Sequence, residues 1–178
     1  MDEKKLYNPY FKSRWSLFGL MDLKLEYFFK SDERVTQFYV DQNYKIVANS
    51  ILPELSFRFR KDIRFNFGAT FKRTVEQIHR LEKASIFEAK NGFAMFINNK
   101  LTVRSELKYI SIQFEGTKGG LVEFNMLDSY KDGNNFNWEI GFDYKISSLL
   151  QLQLNYNGRK AAENEALHTG RVQLRANF

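Results

Sequence analysis

The sequence predicts an all-β protein: an antiparallel transmembrane β-barrel of about eight strands, or the C-terminal part of a larger barrel. Aromatic residues make up 16% of the chain and there are only two prolines, a composition typical of strands. No run approaches the roughly 20 apolar residues of a membrane helix. Long segments instead alternate apolar and polar residues, as barrel strands do. We expect a single barrel domain over residues 1–178, with 1–17 either part of it or an N-terminal extension.

The clearest alternation lies in the last third of the chain. Residues 136–146, 150–157 and 171–178 change polarity at every second position, which is the period of a strand. In the final segment the apolar positions are Val172, Leu174, Ala176 and Phe178. Tilted segments of about ten residues span a bilayer. These three segments are therefore predicted to be membrane strands.

The same alternation continues upstream. It predicts further strands at 21–29, 55–60, 63–72, 87–97 and 101–114, with one strand or two between 31 and 53. Pro53 lies where a strand would begin or bend, because proline cannot donate to a sheet ladder. At Tyr109-Ile110 the apolar positions shift by one residue, and such a shift within a strand predicts a β-bulge.

Residues 121–127 leave two alternatives open. Val122, Phe124 and Met126 alternate with polar residues, so the segment is either one more membrane strand or one arm of a hairpin above the membrane. If it stays outside, short connections at 61–62, 98–100 and 147–148 alternate with long ones at 74–85, 116–134 and 161–168. Outer-membrane barrels have short periplasmic turns and long external loops, and the C-terminus would then lie on the short-turn side.

The volume of a small barrel decides which face meets lipid. Side chains only just fill the interior of an eight-stranded barrel, and five or six apolar side chains per strand, many of them Phe, would overfill it. The apolar face is therefore predicted to face lipid and the polar face the lumen. There we expect a charge network, in which both signs are available for pairing. Its members are Arg64, Arg104, Glu106, Lys108, Glu139, Asp143, Lys145, Arg171 and Arg175. The alternative is a lipocalin-like barrel with an inward apolar face that binds apolar ligands.

The chain end resembles a known signal. The alternate apolar residues Val172, Leu174 and Ala176 before the aromatic Phe178 resemble the C-terminal assembly signal of outer-membrane barrels. A longer stretch, with Asn157-Gly158-Arg159-Lys160 and His168-Thr169-Gly170-Arg171, is similar to the end of large, poorly characterised surface proteins of the Bacteroidota. The resemblance runs from Phe124 to the end. It implies a C-terminal barrel in the bacterial outer membrane, with its C-terminus on the periplasmic side, and supplies no catalytic residues.

No catalytic, cofactor-binding or metal site is predicted. There are no cysteines, and His79 and His168 fall in predicted external loops without spaced carboxylates. The net charge of +6 raises nucleic acid as a partner. The basic residues, however, mostly alternate with apolar ones instead of forming a patch, so nucleic-acid binding is not predicted.

The predicted role is therefore a membrane anchor, or a structural subunit of an outer-membrane complex such as a secretion or barrel-assembly machinery, and not an enzyme. The alternative is part of a transport channel. The expected partners are the lipid bilayer, lipopolysaccharide, the barrel-assembly machinery during insertion, and other outer-membrane proteins. No apolar core follows the charges of residues 1–5, so they are not a signal peptide. We therefore expect a mature form or the tail of a longer protein.

Overall fold

The computed structural model describes residues 2–37, 43–78, 82–128 and 130–176. They form ten strands and one short helix: β1 (Asp2–Tyr7), β2 (Tyr10–Leu17), β3 (Met21–Thr36), β4 (Tyr44–Arg58), β5 (Ile63–Glu76), β6 (Lys83–Ile97), β7 (Leu101–Glu115), α1 (Leu121–Met126), β8 (Gly133–Lys145), β9 (Leu150–Ala161) and β10 (Leu167–Ala176). Within these described ranges, no helix is long and apolar enough to cross a membrane.

The strands form one antiparallel sheet in the order β1-β3-β4-β5-β6-β7-β8-β9-β10, and β2 also pairs with β3. β1 and β2 keep the same register against β3, so together they act as one edge strand interrupted at Asn8-Pro9. The Phe29 N–H still donates to the Pro9 carbonyl at 3.1 Å. Because proline has no N–H, it is tolerated at such an edge. Most of residues 1–17 therefore belong to the sheet.

The sheet stays open. Among the described residues, the edge strand β1/β2 pairs only with β3 and β10 pairs only with β9. The prediction of an all-β, antiparallel fold is confirmed. These strands do not, however, close into the predicted barrel. Seven strands, β3 to β9, lie between the edge strand β1/β2 and β10, and each antiparallel pairing reverses the direction. β1/β2 and β10 therefore run in the same direction.

The connections differ in length at the two ends of the sheet. At one end, here the short-turn end, they are 18–20, 59–62, 98–100 and 146–149; at the other, the long-loop end, they are 37–43, 77–82, 116–132 and 162–166. Asn98 and Asn99 have φ of 48° and 54°, a left-handed conformation that asparagine tolerates, and the Lys100 N–H donates to the Ile97 carbonyl at 2.9 Å. β10 ends at the short-turn end. The predicted alternation of short and long connections is thus confirmed.

Each face of the sheet has its own side chains. Cross-strand partners share a face, and consecutive residues alternate between faces. We call the side that carries Phe65 and Phe93 the Phe face, and the side that carries Arg64 and Arg104 the Arg face. Pro53 lies inside β4, and the ladder to β5 lacks two pairs there, at Leu52 and Pro53, because proline cannot donate.

Two local predictions were wrong for the same reason. Residues 121–127 are neither a strand nor a hairpin arm, since Leu121–Met126 form α1. β7 has no bulge at Tyr109-Ile110, because its pairing with β6 and β8 is uninterrupted. The apolar residues after Ile110 instead lie on the Arg face, where α1 packs. The buried cluster that results consists of Tyr44, Ile46, Ala84, Ile110, Ile112, Phe114, Met126 and Leu127.

Candidate functional site

Large apolar side chains of the Phe face are exposed over most of the sheet. Phe71 is 54% exposed and Leu107 53%. Neighbouring strands place these rings together, with Phe65 and Phe93 at a centroid distance of 5.3 Å and Phe71 and Phe87 at 5.2 Å. Single exposed apolar residues are ordinary, but a contiguous apolar surface of this extent marks an interface.

The Arg face carries ion pairs at the same level of the sheet. Lys90 Nζ lies 3.0 Å from Glu106 Oε2, and Lys108 Nζ lies 3.4 Å from Glu106 Oε1. Arg104 Nη1 lies 3.0 Å from Asp143 Oδ2, and only 15% of the Asp143 side chain is exposed. The Asp143 carboxylate is thus better covered than Phe71 on the other face, although its partner Arg104 remains exposed.

The nine residues predicted for the lumen all lie on the Arg face, by the register of their strands. Arg104, Glu106, Lys108 and Asp143 are brought into ion pairs. The other five make no ion pair with the described residues: Arg64, Glu139, Lys145, Arg171 and Arg175. Glu139 stands opposite Glu106 in the register, so two acids face each other.

The sequence analysis missed a second charge cluster on this face. Glu26 forms ion pairs with Lys12 and Lys24, whose Nζ atoms lie 3.3 Å and 3.1 Å from its carboxylate oxygens. Lys24 Nζ also lies 3.8 Å from Glu54 Oε2. The alternation of charged and apolar residues in β2 and β3 could have revealed this cluster, but the sequence analysis left open whether residues 1–17 belong to the sheet. The cluster ties the edge strand β2 to β3 and β4.

The polarity of both faces inverts toward the long-loop end. On the Phe face, the apolar row Ile51, Phe71 and Phe87 across β4, β5 and β6 is followed by the row Asn49, Arg73 and Ser85 and then by Val47, Val75 and Lys83, so that both rows beyond Phe71 contain a basic residue. On the Arg face, charged residues give way to the buried cluster under α1. Met126 and Leu127 of this cluster are completely buried. Near the long-loop end, the Phe face therefore carries exposed polar side chains such as Arg73, while the Arg face holds the buried apolar cluster. Five polar residues of the Arg face are buried with that cluster: Asp32, Thr36, Thr74, Glu76 and Asn135.

The predicted assembly signal lies on the Phe face of β10. Val172, Leu174 and Ala176 pair with Leu154, Leu152 and Leu150 of β9. All ten residues of β10 are exposed, because no strand covers its other side within the described part of the chain. Phe178 lies outside the described residues.

An aromatic cluster on the Phe face involves His168, which lies in β10 and not in the predicted loop. His168 Nδ1 is 2.8 Å from the Tyr156 hydroxyl, and its ring centroid is 5.6 Å from that of Trp138. The Trp138 indole covers Gly158 so closely that an added Cβ would meet the ring at 1.9 Å. Only glycine leaves room for this ring. His79 lies outside the described residues.

In the described segments, no three His, Asp or Glu side chains come together in a way that could hold a metal ion. No protein-family model and no curated protein matches the chain. The candidate site is therefore the pair of faces itself: an exposed apolar surface, a charged surface behind it, and a polarity boundary across the strands.

Proposed function

We propose that the chain forms a wall of a bacterial outer-membrane β-barrel and acts as a membrane anchor or structural subunit. The inversion of polarity along the strands carries this proposal. In the short-turn half, apolar side chains lie on the exposed face and charges on the other, which suits lipid outside and a polar lumen inside. In the long-loop half, the Arg face holds a buried apolar cluster and the Phe face carries polar side chains such as Arg73, as in a protein surrounded by water.

The height of the apolar band fits a bilayer. On β5 the apolar positions run from Ile63 to Phe71. These nine residues match the roughly 9–11 residues with which a tilted strand crosses a bilayer. Aromatic residues lie near both limits on the Phe face, with Trp15 and Tyr144 toward the short turns and Tyr27 and Trp138 toward the long loops. Such girdles are typical of membrane interfaces.

The test compares the full chain without detergent and after refolding into neutral detergent micelles, with heat-modifiable gel mobility as the readout. A chain that aggregates without detergent, and changes mobility on boiling only after refolding with it, supports the proposal. A monodisperse β-protein without detergent would contradict it and favour the lipocalin-like alternative, in which the apolar residues turn inward.

A second role, part of the wall of a larger channel, is favoured by the two edges of the sheet, which have no partner strand among the residues that the structure describes. Because β1/β2 and β10 run in the same direction, closing the sheet on itself would require a parallel pair. Antiparallel closure requires an odd number of additional strands between them. Strand pairs in outer-membrane barrels of bacteria are antiparallel.

Disulfide trapping distinguishes the two roles, since the chain has no native cysteine to interfere. Ser13→Cys on β2 can be combined in turn with Gly170→Cys, Val172→Cys or Leu174→Cys on β10, all on the Phe face. An intramolecular disulfide in refolded protein would show that the chain closes alone. Its absence from all three combinations, with heat-modifiable mobility retained, would support a larger barrel.

A further inference from the structure

A shallow depression lies on the Phe face at the polarity boundary, between β3 and β7. Its short-turn side is apolar and is formed by Ile51, Phe71 and Phe87. Its long-loop side is polar and is formed by Asn49, Arg73 and Ser85. An amphiphile with an anionic head and acyl chains would meet matching groups on each side.

Arg73 is the charge that distinguishes this depression from its surroundings. It is exposed and makes no ion pair with the residues that the structure describes. Its register partners, Asn49 on β4 and Ser85 on β6, are neutral. Farther toward the long-loop end the basic groups have acidic neighbours: Lys45 lies 3.6 Å from Glu33, and Lys83 stands opposite Glu115. The guanidinium is thus left to bind an anion from outside.

The polar groups beside Arg73 are set to donate. The Tyr27 hydroxyl donates to Asn49 Oδ1 at 2.7 Å, which leaves the Asn49 amide nitrogen free to donate into the depression. Ser85 and its register partner Gln113 add a hydroxyl and a second amide. No carboxylate lines the depression. Several neutral donors around one guanidinium suit a phosphate group, which arginine binds through two parallel hydrogen bonds.

We propose that this depression binds the phosphate of lipid A, with the acyl chains lying along Phe71, Phe87 and Ile51. The inference rests on the proposed function, which directs the Phe face toward lipid. In such barrels long loops are external, so the boundary at the long-loop end lies at the outer leaflet. Phe71 and Ile51 are 54% and 48% exposed and so offer surface to acyl chains.

The test uses the full chain refolded into neutral detergent micelles, with purified lipid A as the probe and titration calorimetry as the readout. Arg73→Gln is expected to weaken lipid A binding by roughly tenfold or more, since a charge-assisted hydrogen bond is lost. Arg64→Gln is the matched control, because Arg64 lies on the same strand but on the Arg face. It should bind lipid A as the unchanged protein does. Dephosphorylated lipid A should bind the unchanged protein as weakly as lipid A binds Arg73→Gln.

Three outcomes would overturn the inference alone while the chain still shows detergent-dependent, heat-modifiable folding. They are equal binding by the two variants, no binding of lipid A to the unchanged protein, and full competition by inorganic phosphate, which would show a phosphate site without lipid. A chain that folds without detergent would instead overturn the proposed function, and this site with it.

Discussion

The packing of α1 on the Arg face can be tested by two substitutions in the same short helix. Met126 is completely buried against the sheet, whereas Phe124 is 59% exposed. Shortening a buried methionine to alanine costs about 2–5 kcal/mol, and we take the lower limit because a single helix can settle into the space. The corresponding change in the opening equilibrium of α1 is on the order of 30-fold. Phe124→Ala should change it by less than about 0.5 kcal/mol.

Hydrogen exchange in micelles measures this opening directly. The Leu127 N–H donates to the Glu123 carbonyl at 2.9 Å, and the Tyr130 N–H donates to the Leu127 carbonyl at 3.0 Å, so both amides report on the docked segment. With Met126→Ala these amides should exchange on the order of 30-fold faster. The amides of β10 should keep their rates, because no residue of that strand belongs to the cluster under α1 or packs against it.

Equal exchange in Met126→Ala and the unchanged protein would refute the reasoning, because it would mean that the buried methionine does not hold α1. Equal acceleration by Met126→Ala and Phe124→Ala would refute it too. That result would mean that the two sides of the helix are equivalent and that α1 is not docked on one face.

Two further substitutions, each with its own control, test the faces of the sheet. Leu154→Arg places a charge within the apolar band and should destabilise the protein in lipid vesicles by roughly 2–4 kcal/mol in urea titrations, while Gln153→Arg, its neighbour on the Arg face, should be tolerated. Similar losses for both would show that the Phe face does not meet lipid. Gly158→Ala forces the Trp138 ring to move and should change the tryptophan emission and lower the urea midpoint. Gly170→Ala, where an added Cβ meets nothing within 4 Å, should leave both unchanged.

The strands were predictable because alternation is a local signal. In β8, β9 and β10 every second residue is apolar over 136–144, 150–156 and 172–176, and the paired register follows the same positions. The number of strands was harder to predict at the N-terminus. Glu3, Lys5 and Tyr7 share the Phe face of β1 and give no apolar alternation, since they lie toward the long-loop end where that face is polar.

The helix α1 could not be predicted from its own residues. In Leu121–Met126, apolar positions fit a strand and a short helix almost equally well, because six residues give fewer than two helical turns. The informative signal lay elsewhere, at Tyr109-Ile110. There the apolar residues change face because Ile110, Ile112 and Phe114 receive α1, and a shift of this kind resembles a bulge when only one strand is considered.

The common direction of the two edge strands also limits how copies of this sheet can meet. If the chain lies in a membrane, as we propose, its copies in that membrane share an orientation, and a rotation about the bilayer normal leaves the direction of every strand unchanged. Two copies side by side would therefore bring β10 against β1/β2, or against another β10, only in parallel. Symmetry therefore prevents an identical neighbour from pairing with either edge in the antiparallel sense. Exposed edge strands commonly promote self-association, but these two edges can form antiparallel pairs only with strands that run in the opposite direction.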